Sequence, residues 1–261
     1  MKKLLALVLV LTMVFALAAC GGKKDTEPTN PANPATTDAA NADKQSDDAE
    51  VPVMTHAEYD AAELNTKVCV ETYVQAKQSW WENKVTVYAQ SEDGAYFIYN
   101  MSCSEEEDAL LTAGTKIKVT GIKSEWSGEI EIADATFEIL EGNYIAQPVD
   151  VTNLLGTDEL IKHQNEFVSF KGVTVAASQD AEGKDVPFTY KGDSVGEDIY
   201  FKVSLNDKVY DFCIESYLTA DGTPAYEAVE KLNIGDVIDL EGFLYWYNGA
   251  NPHITSVAVA A

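Results

Sequence analysis

The chain has 261 residues, with 43 acidic against 18 lysine or arginine side chains and a formal charge of -25, and all 18 are lysine because the sequence contains no arginine. Such a surface repels nucleic acid and anionic lipid headgroups within the ~8 Å reach of charge at physiological salt, and it suits neutral or cationic ligands. Without a guanidinium to clamp a phosphate with paired donors, arginine-assisted phosphodiester cleavage is excluded.

The first predicted element is an address. Lys2 and Lys3 precede an apolar run over residues 4–19, which ends at Cys20. At ~16 residues the run is shorter than the ~20 that span a bilayer, so it reads as a secretion signal. Leu17-Ala18-Ala19-Cys20 resembles the lipobox of bacterial lipoproteins. That resemblance implies cleavage before Cys20, a palmitate-bearing lipid on Cys20, and attachment to the cell membrane on its extracytoplasmic face. Residues 21–53 hold Pro28, Pro31 and Pro34 and no aromatic side chain. They cannot bury enough apolar surface to offset their ordering entropy, so they are expected to form a disordered tether with a typical reach of roughly 30 Å.

The rest of the chain repeats itself. GTKIKVTG followed by IKSEWSG places glycines at 114, 121 and 128, and GDVIDLEG followed by FLYWYNG places them at 235, 242 and 249. In both, apolar residues alternate before the middle glycine, Ile117 and Val119 in one and Ile238 and Leu240 in the other. Each reads as a hairpin with a bulge or sharp bend at its middle glycine. Upstream, VCVETYV (residues 68–74) lines up with VSFKGVTV (168–175), and a hairpin pattern over 84–101 lines up with another over 198–215. Between the hairpins of each copy lies a helical stretch. Ser104 with Glu107 forms a capping box in the first, and the second starts at Pro224 and is followed by Gly235. Each copy also has a lead-in, from Thr55 and from Gly156, expected to be a helix capping its barrel.

Strand, hairpin, helix, hairpin is the layout of the OB-fold, a five-stranded Greek-key barrel. The stretches 119–128 and 238–249 resemble OB-fold domains of bacterial exported nucleases and lipoproteins, and the likeness defines fold better than ligand. The expected fold is all-β with short helices: two tandem five-stranded OB-fold barrels after a signal peptide and tether. The expected domains are 1–19 signal peptide, 20–53 lipidated cysteine and tether, 54–145 first barrel and 146–261 second barrel.

Catalytic and metal patterns find little support. Gly192-Asp193-Ser194-Val195-Gly196 matches the nucleophile-elbow spacing, but a strand rather than a helix is expected after it. His56, His163 and His253 are isolated, and Cys69, Cys103 and Cys213 lack metal spacing. A Cys69–Cys103 disulfide and buried thiols both stay open. No cofactor is expected, although the acidic loop over residues 180–198 leaves calcium open. The chain reads as a non-enzyme.

Aromatic residues carry the positive signal. Trp126 and Tyr247 occupy equivalent positions, which predicts a shared architectural role, packed across the hairpin turn. Trp80, Trp81, Tyr245 and Trp246 have no aromatic counterpart in the other copy, and all six residues fall in the two loops that usually hold the ligand of an OB barrel. Adjacent side chains in extended structure diverge, so one indole of the Trp80/Trp81 pair is expected to anchor and the other to face a ligand groove. The expected role is that of a binding or adaptor module for a carbohydrate or an extracellular protein partner through these loops. Two alternatives stand beside it: an interaction protein whose aromatics form the interdomain joint, and a single-stranded nucleic-acid-binding OB protein. Charge ranks nucleic acid below the other partners.

Overall fold

The computed structural model describes residues 51–259; the signal segment, Cys20 and the tether up to residue 50 lie outside the described residues. Helix α1 (His56–Ala61) opens on a capping box, in which Thr55 accepts from the Glu58 amide and Glu58 accepts in return. The first barrel follows as β1 (Lys67–Lys77), β2 (Lys84–Gln90), β3 (Ala95–Ser102), α2 (Glu105–Asp108), β4 (Thr115–Trp126) and β5 (Glu129–Asn143). Its strands close in the order β1-β2-β3-β5-β4, with β3 and β5 parallel and β1 completing the ring against β4.

The second barrel repeats the plan with additions. A two-residue β6 (Val149–Asp150) leads to β7 (Phe167–Ala176). Short strands β8 (Ser178–Gln179), β9 (Asp185–Val186) and β10 (Phe188–Tyr190) occupy the insertion before β11 (Ile199–Leu205) and β12 (Lys208–Ile214). Helix α3 (Pro224–Glu230) then precedes β13 (Val237–Phe243) and β14 (His253–Val259). Pairing of β11 with β7 closes the ring β11-β12-β14-β13-β7. Both units are OB-fold barrels.

The repeat determines the interiors. Ile117 and Val119 in the first barrel, like Ile238 and Leu240 in the second, are fully buried, and each such side chain contributes roughly 1.5–3 kcal/mol by leaving water. The middle glycines mark close approach. The β4–β5 register shifts at Gly121 and the β13–β14 register shifts at Gly242. A Cβ at Gly242 would lie 2.2 Å from the His253 carbonyl oxygen, and one at Gly121 would lie 2.7 Å from that of Ala133.

Two local expectations need correction or completion. The lead-in from Gly156 is not an α-helix but the 3₁₀ turn Leu160–His163, and a second 3₁₀ turn, Thr152–Leu154, precedes it. Gly156, at φ +73°, breaks the stretch between them and sits against the Tyr210 ring. Cys69, Cys103 and Cys213 are free and buried.

The described residues all belong to one compact unit, in which the two barrels pack on each other. Tyr88 and Phe97 of the first barrel pack on Phe243 of the second, with Phe167, Leu218 and Tyr245 around them. The Tyr88 and Phe243 rings lie 4.7 Å apart. Polar contacts border this apolar joint: Gln90 accepts from the Phe167 amide at 2.8 Å, and the Asn165 side chain donates to the Ile130 carbonyl at 3.0 Å.

Candidate binding cleft between the barrels

The Trp80/Trp81 pair sits where β1 turns into β2. Glu82 and Asn83 both take the left-handed conformation, at φ 47° and 61°, and Trp81 and Lys84 exchange backbone hydrogen bonds across them. This tight turn sends the two indoles apart. Trp80 packs on the first core and donates its Nε1 hydrogen to the Cys103 carbonyl at 2.8 Å, whereas Trp81 stays 71% exposed.

At the β4–β5 turn, Ser127 and Gly128 reverse the chain with φ 53° and 92°. Trp126 ends β4 opposite Glu129. The expectation that Trp126 and Tyr247 pack across their turns is corrected: Trp126 is 61% and Tyr247 53% exposed. Each stands beside the turn of its hairpin and borders the cleft between the barrels. Their neighbours divide differently. Trp246 packs against the second core with its ring close to Gly128 of the first barrel. Tyr245 stacks on His253, with centroids 4.3 Å apart and an interplanar angle of 23°, and meets Phe97 edge-on at 5.2 Å.

Tyr245 and Trp246 therefore lie against residues of the first barrel, whereas Trp81 and Trp126 are exposed. Trp126, Tyr245 and Tyr247 come together on a cleft of 680 Å³ between the barrels. Trp81 belongs instead to an adjoining recess of 420 Å³, which it lines with Tyr217 and Lys84. Tyr99 and Gln78 border both, so the two form a continuous groove. Trp80 and Trp246 border neither recess and pack on the first and second cores.

Sequence reasoning missed Tyr99, Tyr200 and Tyr217, and it missed Glu131 and Glu215, which also line the groove. Phe97 and Tyr99 sit at alternate positions of a strand whose Ile98 faces the core, so a period-two aromatic pattern on the outer face was readable. Tyr200 alternates in the same way with the buried Ile199 and Phe201. Glu215 and Tyr217 carry no local signal, because only the docking of the second barrel brings them to the first. Ser79 makes that contact, its amide donating to the Tyr217 carbonyl at 2.8 Å.

The electrostatics of the cleft are acidic. Burial raises the Glu131 carboxyl above its ordinary range, and Ser124 donates to it at 3.1 Å. Burial likewise raises Glu215, which accepts from the Leu218 amide at 2.9 Å and from the Gln78 side chain at 3.1 Å. Among the described residues lining the larger recess there is no lysine. His253 is also pushed toward neutrality, its pKa lowered by burial to about 3, with its Nδ1 2.6 Å from the Tyr88 hydroxyl. Behind the wall, Glu129 accepts from the Trp246 amide at 2.8 Å and from Gln164 at 3.0 Å, and burial lifts its carboxyl to about 8.

The other candidates lie elsewhere. Ser194 is in an exposed loop and its hydroxyl donates to the Gly192 carbonyl at 3.3 Å. His163 pairs with Glu166 at 2.8 Å. In the acidic insertion, Asp180 accepts from the Glu182 and Lys184 amides, and Asp198 pairs with Lys191 and Ser216. Among the described residues, no three histidine, cysteine or acidic side chains cluster as a metal site.

No family model and no curated protein matches the chain. Solved structures do. A murine DNA-binding protein bound with double-stranded DNA is 11% identical over 74% of this chain and 96% of that one, with a TM-score of 0.35. The p204 HINb domain is 10% identical over 76% and 100%, with a TM-score of 0.34. A replication protein A heterotrimer bound to single-stranded DNA is 10% identical over 76% and 49%, with a TM-score of 0.29. The low ranking of nucleic acid among partners is corrected here, since the first and the last of these proteins are DNA complexes. Net charge is a property of the whole surface and does not decide what one face of it binds.

Proposed function

We propose that the chain is a non-catalytic binding module that holds a ring-bearing ligand, a glycan in the leading reading, in the groove between its two barrels. The observation that carries this reading is the convergence of Trp126, Tyr247, Tyr99 and Trp81, all exposed, from separate loops and strands onto one groove. Exposed aromatic faces stack on flat or apolar ligand faces, and water leaves both on contact. Attachment through a lipid on Cys20 at the extracytoplasmic face of the membrane belongs to the same proposal, supported by the residues 17–20 pattern.

A second reading, single-stranded nucleic acid, draws on where these aromatics sit. Phe97 and Tyr99 lie on the third strand, and Trp81 and Trp126 lie in the two loops by which OB barrels bind oligonucleotides and oligosaccharides alike. Titration of the full chain with neutral oligosaccharides and, separately, with oligothymidylate at low salt tests both, read by tryptophan fluorescence. Binding of either that is lost in a Trp81→Ala/Trp126→Ala variant supports the groove. Binding that survives the double substitution removes the groove from the proposal.

A further inference from the structure

We infer that the ligand of the inter-barrel groove is an organic cation, an amine-bearing glycan in class, whose ammonium is held against Glu131 and Glu215 while its rings stack on the surrounding aromatics. This rests on the binding-module reading and names the chemistry of its occupant. Three independent features of the larger recess share one sign. Glu131 comes from β5 of the first barrel and Glu215 from the segment after β12 of the second, so carboxylates face the recess from both barrels.

The aromatic faces are the second feature. Phe97, Tyr99, Trp126, Tyr200, Tyr245 and Tyr247 border the same space, and an aromatic face carries the negative lobe of its quadrupole, which attracts ammonium groups within about 6 Å. The third feature is the lack of any lysine among the described residues lining it, in a chain whose lysines are otherwise spread along its strands and loops.

Taking two carboxyl groups out of water is costly for the charged form, and burial makes both of them bind protons more readily than usual. A cation seated between the barrels offsets that cost. A neutral sugar can hydrogen-bond to carboxylates but does not compensate their charge. The chain's charge of -25 also raises the local concentration of cations and speeds their arrival, an effect that falls with salt.

The test compares hexamers of glucosamine, charged at mildly acidic pH, with hexamers of N-acetylglucosamine, which are not, by calorimetric titration of the full chain at two salt concentrations. The expected result is at least a tenfold preference for the amine, reduced severalfold by high salt. Glu131→Gln with Glu215→Gln is expected to abolish the preference and leave the weaker binding of the acetylated form. The salt series on the unsubstituted chain stands even if that variant does not fold. Equal binding of both hexamers overturns the cationic assignment and leaves the binding module intact. Binding of oligothymidylate with neither hexamer overturns it in favour of nucleic acid. Failure of all three probes overturns this inference together with the binding-module reading.

Discussion

Glu129 and His253 are buried ionisable groups with opposite consequences for stability. The Glu129 carboxyl titrates at about 8 in the folded chain against an ordinary 4.5. The folded state therefore binds more protons than the unfolded state between those values, and stability falls as pH rises through the window, by up to about 1.4 kcal/mol per pH unit. His253 titrates at about 3 against 6.5, so its contribution is present above 6.5 and is lost as pH falls toward 3. Between 4.5 and 6.5 the two slopes oppose each other, and from 6.5 to 8 Glu129 acts alone of the pair. Glu129→Gln keeps an acceptor for the Trp246 amide and removes the titration. Its urea midpoint is expected to stay level from pH 6.5 to 8 where that of the unsubstituted chain declines; parallel declines would refute the assignment.

Lys123 shows the same economy of polar groups. Its alternation along β4 points it inward, where its ammonium donates to the carbonyls of Tyr59, Asp60 and Ala62 at 2.9, 2.9 and 3.0 Å. Those carbonyls end α1, which has no basic residue in its last turn, so a strand supplies the cation that the helix end lacks. Lys123→Met keeps the apolar stem and strands three acceptors. A loss of about 3 kcal/mol in chemical denaturation is expected, and a loss under about 1 kcal/mol would mean that water replaces the ammonium freely.

At the scale of elements, two strand glycines of the second barrel, Gly242 in β13 and Gly172 in β7, do different jobs. Gly242 is needed for space, because a Cβ there would enter the backbone of the neighbouring strand. Gly172 is needed only for its backbone angle, φ +62°, and a Cβ there meets nothing within 4 Å. Gly172→Ala is expected to cost about 1 kcal/mol and Gly242→Ala about 3 kcal/mol or more, measured by urea unfolding. Equal costs would show that the bulge yields. Neither element was hard to place from the alternating pattern and the paired glycines. The lead-in from Gly156 has helix-compatible composition, yet it forms only the 3₁₀ turn Leu160–His163.

For the whole molecule, the aromatic joint couples two barrels that the chain writes as separate repeats. Removing the Phe243 ring opens a cavity beneath Tyr88 and Phe167 and is expected to cost about 3–5 kcal/mol. Because the lost contacts belong to both barrels, unfolding followed by tryptophan fluorescence and by circular dichroism is expected to shift as one transition. Two separated transitions, with Phe243→Ala moving only the second barrel, would show that the barrels fold independently.

The sequence by itself determined the architecture, since strand alternation, glycine spacing and helix caps are local and each copy repeats them. It also determined that Trp80 and Trp81 part company, because neighbouring side chains in extended structure face opposite ways. Tertiary structure decided the site. Glu215, Tyr217 and Tyr200 reach the groove only because Phe243 and Tyr245 dock the second barrel on Tyr88 and Phe97 of the first. Trp126 and Tyr247, whose equivalence in the repeat suggested packing, stay exposed beside that joint. Exposure depends on what the rest of the chain leaves uncovered, and that is a property of the assembled surface, which no local pattern encodes.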